Sequence, residues 1–310
     1  MSHGSRKIPK VSRIPGNPII QPGMLAGNDG ENINGPSLIR VPPWLPNPLG
    51  KYYLYFAHHQ GDYIRMAYAD AIAGPWTVYA PGTLQLKDTP CWAPTLRHRH
   101  IASPDVHVDD HSRQIRMYFH GLSPAQDLLA TSGSGQQFSF VANSLDGLNF
   151  TARSERLGKP YFRAFTWNDA WYALAKPGVI YRSADGLRGF VEGPNSFPET
   201  MRHCAVHIDG TTLQVFHSNI GDCPERILLS EIDLTRPWEE WVAGKPAPIL
   251  EPEMTWEGAD LPLLPSRKGR ARGQLRELRD PAIFARNGRS WLLYTVAGES
   301  GIAVAELHWD

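Results

Sequence analysis

The sequence predicts an all-β fold: a five-bladed β-propeller, with four-stranded antiparallel blades around a central axis. Three observations predict it. A short polar or proline-containing opening followed by an aromatic-rich strand recurs five times, helical periodicity is nearly absent, and the 28 Gly and 27 Pro fall mostly between apolar runs. A repeat of about 40 residues or more, read as four strands, is the signature of a propeller. Such a ring brings the same position of every unit to one axis, so residues far apart in the chain can be read as one site.

The first unit opens with Asn34-Gly35-Pro36 and leads to a strand at 52–56, after a proline-rich excursion at 42–50. The second opens with Ser103-Pro104-Asp105-Val106, turns at 109–112 and continues at 115–119. The third runs from Phe162-Arg163 through a turn at Asn168-Asp169 to 171–174. Arg202-His203-Cys204 opens the fourth, with a turn at Asp209-Gly210 and a strand at 213–216. Arg279-Asp280-Pro281 opens the fifth, with a turn at Asn287-Gly288 and a strand at 291–294. Asn, Asp and Gly at these turns are hairpin signals. Third strands are read at 63–69, 138–143, 179–182, 227–232 and 302–307. Tyr52, Tyr53, Trp171 and Trp291 on the second strands are read as packing between blades.

Second strands begin at 52, 115, 171, 213 and 291, so only the third-to-fourth interval of 42 is a bare unit. The largest insertion, roughly 246–278, holds Trp256-Glu257-Gly258-Ala259-Asp260 and a basic run at 267–272. The fifth unit ends after three strands, and the segment around Pro18-Ile19-Ile20 is expected to supply the fourth. Residues 1–16 read as an N-terminal extension and 17–310 as a single propeller domain. Closing the ring in this way removes the exposed edges that an open one would leave.

Lys+Arg and Asp+Glu are both 31, so no global field draws the chain to nucleic acid or to an anionic membrane. Cys91, Cys204 and Cys223 lack metal-site spacing and cannot all pair, which favours a reducing compartment. No apolar run approaches a membrane span and none follows the polar start as a signal would. The expectation is cytoplasmic, with a secreted or periplasmic mature form also compatible.

Ser-Pro-Asp-Val at 103–106 and Arg-Asp-Pro-Ala-Ile-Phe at 279–284, each followed by an aromatic strand, resemble the five-bladed glycoside hydrolases of family 43 and related families. The resemblance covers about 17–310 as a blade rhythm, with those two short motifs its specific part. It implies that first strands start at the active-site mouth, beside the axis. Projected onto this chain, that geometry gives an axial ring of Asn34, Asp105, Arg163, His203 and Asp280. The turns after the second strands add His58, His59, His120, His217, Glu225 and Glu299, and the loops between blades add Trp92, Trp256, Glu257 and Asp260. Arg279, beside Asp280, joins the substrate-binding set. Flat aromatic rings and charged acceptors suit sugars.

The family's carboxylate pattern is only partly present. Family 43 enzymes carry a base Asp in blade one, a pKa-tuning Asp in blade two and an acid Glu in blade three. Asp105 matches blade two, whereas blade one offers Asn34 and blade three Arg163. Glu192-Gly193-Pro194 copies the acid motif in letters but lies 21 residues before Leu213, in a loop. Asp105 and Asp280 are therefore the leading catalytic carboxylates, with Glu225, Glu257 and Glu299 as candidate proton donors. An Asp beside Pro can also simply cap a turn. No cofactor is required by this reading, although His120, His203 and His217 leave room for a divalent cation.

The activity expected is hydrolysis of a small oligosaccharide or furanoside by carboxylate acid/base chemistry. The alternatives are a metal-assisted carbohydrate lyase and a non-catalytic sugar-binding propeller. The basic run at 267–272 reads either as a solvated loop or as a means of recruiting an acidic sugar. Oligomeric state is not legible.

Overall fold

The computed structural model describes residues 8–92, 99–122 and 136–309. Its strands form five four-stranded antiparallel sheets arranged as blades around a central axis. Strand β1 (Lys10–Arg13) belongs to the last blade. Blade one is β2 (Asn34–Arg40), β3 (Tyr52–Ala57), β4 (Tyr63–Ala69) and β5 (Thr77–Gln85). Blade two is β6 (Ile101–Asp109), β7 (Gln114–Leu122), β8 (Gln137–Ser144) and β9 (Thr151–Ala152). Blade three is β10 (Arg163–Trp167), β11 (Ala170–Ala175), β12 (Val179–Ser183) and β13 (Val191–Asn195). Blade four is β14 (Met201–Asp209), β15 (Thr212–Asn219), β16 (Ile227–Asp233) and β17 (Ala247–Leu250). Blade five is β18 (Arg279–Arg286), β19 (Arg289–Thr295) and β20 (Ile302–His308), closed by β1.

The hairpin chemistry holds in detail. Asn168 and Asp169 both have positive φ (45° and 58°), as do Asn287 and Gly288 (52° and 72°). Two successive left-handed residues match the right-handed twist of the flanking strands, which is why Asn, Asp and Gly sit there.

The closing strand differs from expectation. Lys10–Arg13 pairs along β20 from Lys10↔His308 to Arg13↔Ala305, whereas Ile20 makes only an isolated bridge to Ile302. Residues 10–13, expected in an N-terminal extension, are thus part of blade five; residues 1–7 lie outside the described residues. The reason is the Asn17 side chain, which brackets Val304 with two hydrogen bonds and takes the place of backbone pairing there.

Apolar layers fill the wedges between adjacent blades. Tyr53, Tyr55, Ile115 and Met117 pack between blades one and two, and Leu54, Phe56, Trp291 and Leu293 between five and one. Burying such a side chain is worth about 1.5–3 kcal/mol, so the aromatic second strands hold the ring together.

The inner strands carry the feature that shapes the site. Pairing with the second strand breaks between Asn34 and Ser37, Ala102 and Asp105, Met201 and Cys204, and Arg279 and Ala282. Each break is a β-bulge holding Gly35-Pro36, Ser103-Pro104, Arg202-His203 or Asp280-Pro281. Gly35, Ser103 and Asp280 have positive φ there (59°, 51° and 46°), and Tyr161, just before β10, has 69°. A bulge re-aims side chains, so residues at similar distances from the hairpin need not point the same way.

Candidate active site

At the axial mouth a narrow cavity of about 10 Å³ is lined by Asn34, His59, His100, Ala102, Ser103, His120, Tyr161, His203 and Asp280. It is too small for more than about one water. Of the expected axial ring, the structure brings Asn34, His203 and Asp280 to this cavity, together with His59 and His120. Asp280 is buried, with one carboxylate oxygen against His203 Nδ1 and the other 3.5 Å from the Thr295 hydroxyl. Burial would raise its pKa, but His203, Arg279 and Arg202 outweigh burial and hold it well below the usual carboxylate range. Burial in turn lowers His203 to about 4, so at neutral pH a neutral imidazole faces an ionised Asp280.

Tyr161 stands in the middle of this group. Its ring centroid lies 4.0 Å from His120 and 4.5 Å from His203, and Lys176 Nζ sits 5.4 Å from its centre. Burial lowers Lys176 to about 8, reinforced by Arg202 and Lys268 and opposed by Asp280 and Glu225. Burial also lowers His100 to about 4 and takes His120 well below its ordinary value.

Around the cavity lies a buried network of charges. Arg279 donates from Nε to Glu277 (2.7 Å) and from Nη1 to Glu299 (3.2 Å), and its Nε is 3.4 Å from Glu225. Arg202 Nε is 2.8 Å from Glu225, which also accepts from the Ser218 hydroxyl at 2.7 Å. Burial raises the Glu225 pKa despite Arg202, Arg279 and Ser218. Glu299 accepts from the Asn32 amide, from the Ala271 backbone N–H (3.2 Å) and from Arg279, with His59 Nδ1 at 3.7 Å. Its pKa is below normal because His59 and Arg279 outweigh burial and the nearby Asp280.

The long insertion covers this network. Arg202 donates to the carbonyls of Arg267 and Gly269, and Arg279 also reaches Gly269. Ala271, buried on Glu299, brings the segment down over the mouth.

Several expected site residues lie elsewhere. Asp105 follows its bulge and does not line the cavity; it accepts the Ala164 backbone N–H at 2.7 Å and pairs with His107 at 2.9 Å. Burial opposes its ionisation, yet His107, Arg163 and that N–H hold its pKa below normal. Arg163 donates to the carbonyls of Ser103, Pro104, Phe162 and Cys204, tying blades two, three and four together. His217 packs on Phe197 (5.1 Å) and contacts Ser230, in the core between blades three and four. Glu257 is locked by Arg13 of β1 (2.8 and 2.9 Å) and by the hydroxyl of Tyr294 (2.9 Å), which packs in the layer between blades four and five. Trp256 packs in the layer between blades four and five, Asp260 is exposed, and exposed Trp92 stacks with Arg99 at 4.3 Å.

The cation set also separates. His217 is in the core, and His120 and His203 flank Tyr161. Among the described residues no three His, Cys, Asp or Glu side chains are grouped to hold a metal ion. Sequence reading missed Tyr161, His100, Asn32 and Glu277. The arginines of the network were in the opening motifs, but the direction in which each bulge aims them depends on register, which the letters alone do not give.

An uncharacterized protein of Acanthamoeba polyphaga mimivirus is 36% identical over 327 aligned residues, spanning 96% of this chain and 90% of that one. The chain belongs to that protein's family. No family model matches it. Among solved structures, it is similar to a family 43 β-xylosidase/α-arabinofuranosidase from a compost microbial metagenome, in complex with xylotriose in a calcium-free form. That pair has a TM-score of 0.60 at 14% identity, covering 96% of this chain and 95% of the other. An α-L-arabinofuranosidase from Lactobacillus brevis gives 0.61 at 10%, covering 95% and 93%. An exo-1,5-α-L-arabinanase from a bovine ruminal metagenomic library gives 0.55 at 11%, covering 90% and 97%. The protein is thus a five-bladed propeller resembling the family 43 clan of glycosidases; at such identities the likeness is one of fold. No described helix is long and apolar enough to cross a membrane.

Proposed function

We propose that the chain is a glycoside hydrolase for a small oligosaccharide or furanoside, working at the axial mouth. The observation that carries this reading is the gathering of buried carboxylates at the axial mouth, Asp280 against His203 and Glu225 and Glu299 against Arg279. Burial raises the proton affinity of Glu225, and His203 lowers that of Asp280. Glycoside hydrolysis needs one carboxyl that keeps its proton and another that does not. In this reading Asp280, oriented by His203, serves as base or nucleophile, and Glu225 as proton donor. Arg279 lies against Glu225 and Glu299 and couples the two sides of the mouth. A sugar ring exceeds the 10 Å³ cavity, so catalysis in this reading requires the mouth beside Asp280 to widen.

The test is kinetic. Asp280→Asn keeps the shape and removes the charge, and is expected to lower kcat/KM by at least about 10²-fold without unfolding. Glu225→Gln should cripple hydrolysis of a poor leaving group and largely spare an activated aryl glycoside, because an aryloxide departs unprotonated. Near-normal turnover in both variants overturns the reading.

A second reading, a non-catalytic sugar-binding propeller, is favoured by Asn34 at the mouth and by the engagement of Glu225, Glu277 and Glu299 with arginines. It expects saccharide binding without turnover, unchanged in Asp280→Asn.

A further inference from the structure

We propose that the outer pocket at the axial mouth, walled by Arg270 and Arg272, binds an anionic group carried by a sugar. The chemistry is a carboxylate, sulfate or phosphate substituent. This rests on the carbohydrate reading above and adds the class of ligand.

The pocket has a volume of about 590 Å³, enough for a monosaccharide with a substituent. Its walls include Glu31, Asn32, His58, Arg270 and Arg272, so Glu31 is the single acidic side chain against two guanidinium groups. The segment is held from beneath by its backbone: the Arg267 and Gly269 carbonyls accept from Arg202 and Arg279, and the Ala271 N–H donates to Glu299. Ala271 faces inward and is buried, which leaves Arg270 and Arg272 on either side of it exposed at the pocket wall.

Arg270 is steadied by one hydrogen bond, from Nη1 to Gln60 Oε1 at 2.7 Å. That bond uses one of five donors, and a neutral amide does not cancel the guanidinium charge. Burial lowers the His58 pKa, with Arg65, His59 and, least, Arg270 adding to the effect and Asp29 opposing it. Two guanidinium groups at one wall suit forked hydrogen bonds to an oxyanion.

The pocket also continues into the site. Asn32, part of its wall, donates to Glu299 and accepts from Asn34 and from the His59 backbone N–H. A sugar held by its acidic group against Arg270 and Arg272 therefore lies next to the axial carboxylates.

The test compares D-glucose with D-glucuronate, glucose 6-sulfate and glucose 6-phosphate by isothermal titration of the full chain. None contains a glycosidic bond, so the result does not depend on hydrolysis. At least one acidic hexose should bind about 10-fold or more tightly than glucose, with the preference among the three naming the anion. The advantage should weaken as NaCl is raised and disappear in Arg270→Gln/Arg272→Gln, while the melting temperature stays unchanged. Equal affinity for all four hexoses, or an advantage that survives the double variant, overturns the proposal. Acid-selective binding without any glycosidase activity supports it and sinks the hydrolase reading. Glycosidase activity with no acid preference does the reverse.

Discussion

Asp105 and Asp280 sit beside prolines at the starts of inner strands, yet they stand in different surroundings. Asp280 lies inside its bulge and faces His203 at the cavity. Asp105 follows its bulge and accepts a backbone N–H from blade three. Asp105→Ala leaves the Ala164 N–H without its acceptor, at a cost of about 1–3 kcal/mol. The expected outcome is a lower melting temperature with kcat/KM within a few-fold of wild type, opposite to Asp280→Asn. A large loss of turnover at full stability would return Asp105 to the catalytic set. The sequence motif Pro-Asp at 104–105 and Asp-Pro at 280–281 contained this difference in its order of letters, but only the bulge register gives the order a meaning. Tyr161 was illegible for a related reason: a positive φ at an aromatic residue has no sequence signature.

At the scale of elements, Glu257 binds the closing strand. Arg13 of β1 meets it with two nitrogens, Tyr294 of β19 adds a hydroxyl, and the Glu253 and Met254 N–H groups complete its shell. Removing one partner strands a buried charge, so Arg13→Ala should cost about 3–5 kcal/mol. Urea unfolding should show a lower midpoint with an unchanged slope. A shift under about 1 kcal/mol would mean that the pair stabilises the blade little. The strands themselves were readable: third strands at 63–69 and 227–232 agree within a residue with β4 and β16, because alternation and turn residues are local signals. The partner of β20 was not, since the short Lys10–Arg13 stretch is at most half-buried and carries too few apolar residues to announce itself.

For the whole molecule, burial depresses His100, His120 and His203 together. The unfolded chain takes up protons on these groups near pH 6.5, whereas in the folded chain His100 and His203 wait until about 4. The fold is therefore at full strength above about pH 6.5 and loses stability as pH falls towards 4, by on the order of 1 kcal/mol per pH unit for each histidine. Glu225, raised by burial, acts in the opposite sense by weakening the fold as pH rises above its unfolded value. His58 and His207 are also lowered by burial, and Asp222 is raised like Glu225. Five groups oppose two, so urea midpoints should decline between pH 7 and 5; a flat profile would show that these imidazoles are not held neutral. The ring was legible because five repeats state it five times, whereas its axis is built from single residues that each occur once. The ring also imposes an order of events. Lys10–Arg13 leaves the ribosome before every other strand of the fold, yet its hydrogen-bonding partner at Ile302–His308 arrives after all the rest. Until then four blades can assemble while the first strand waits in water, and Lys10, Ser12 and Arg13 are residues that can wait there without seeking another chain's edge. The earliest strand to be made is the last to be placed.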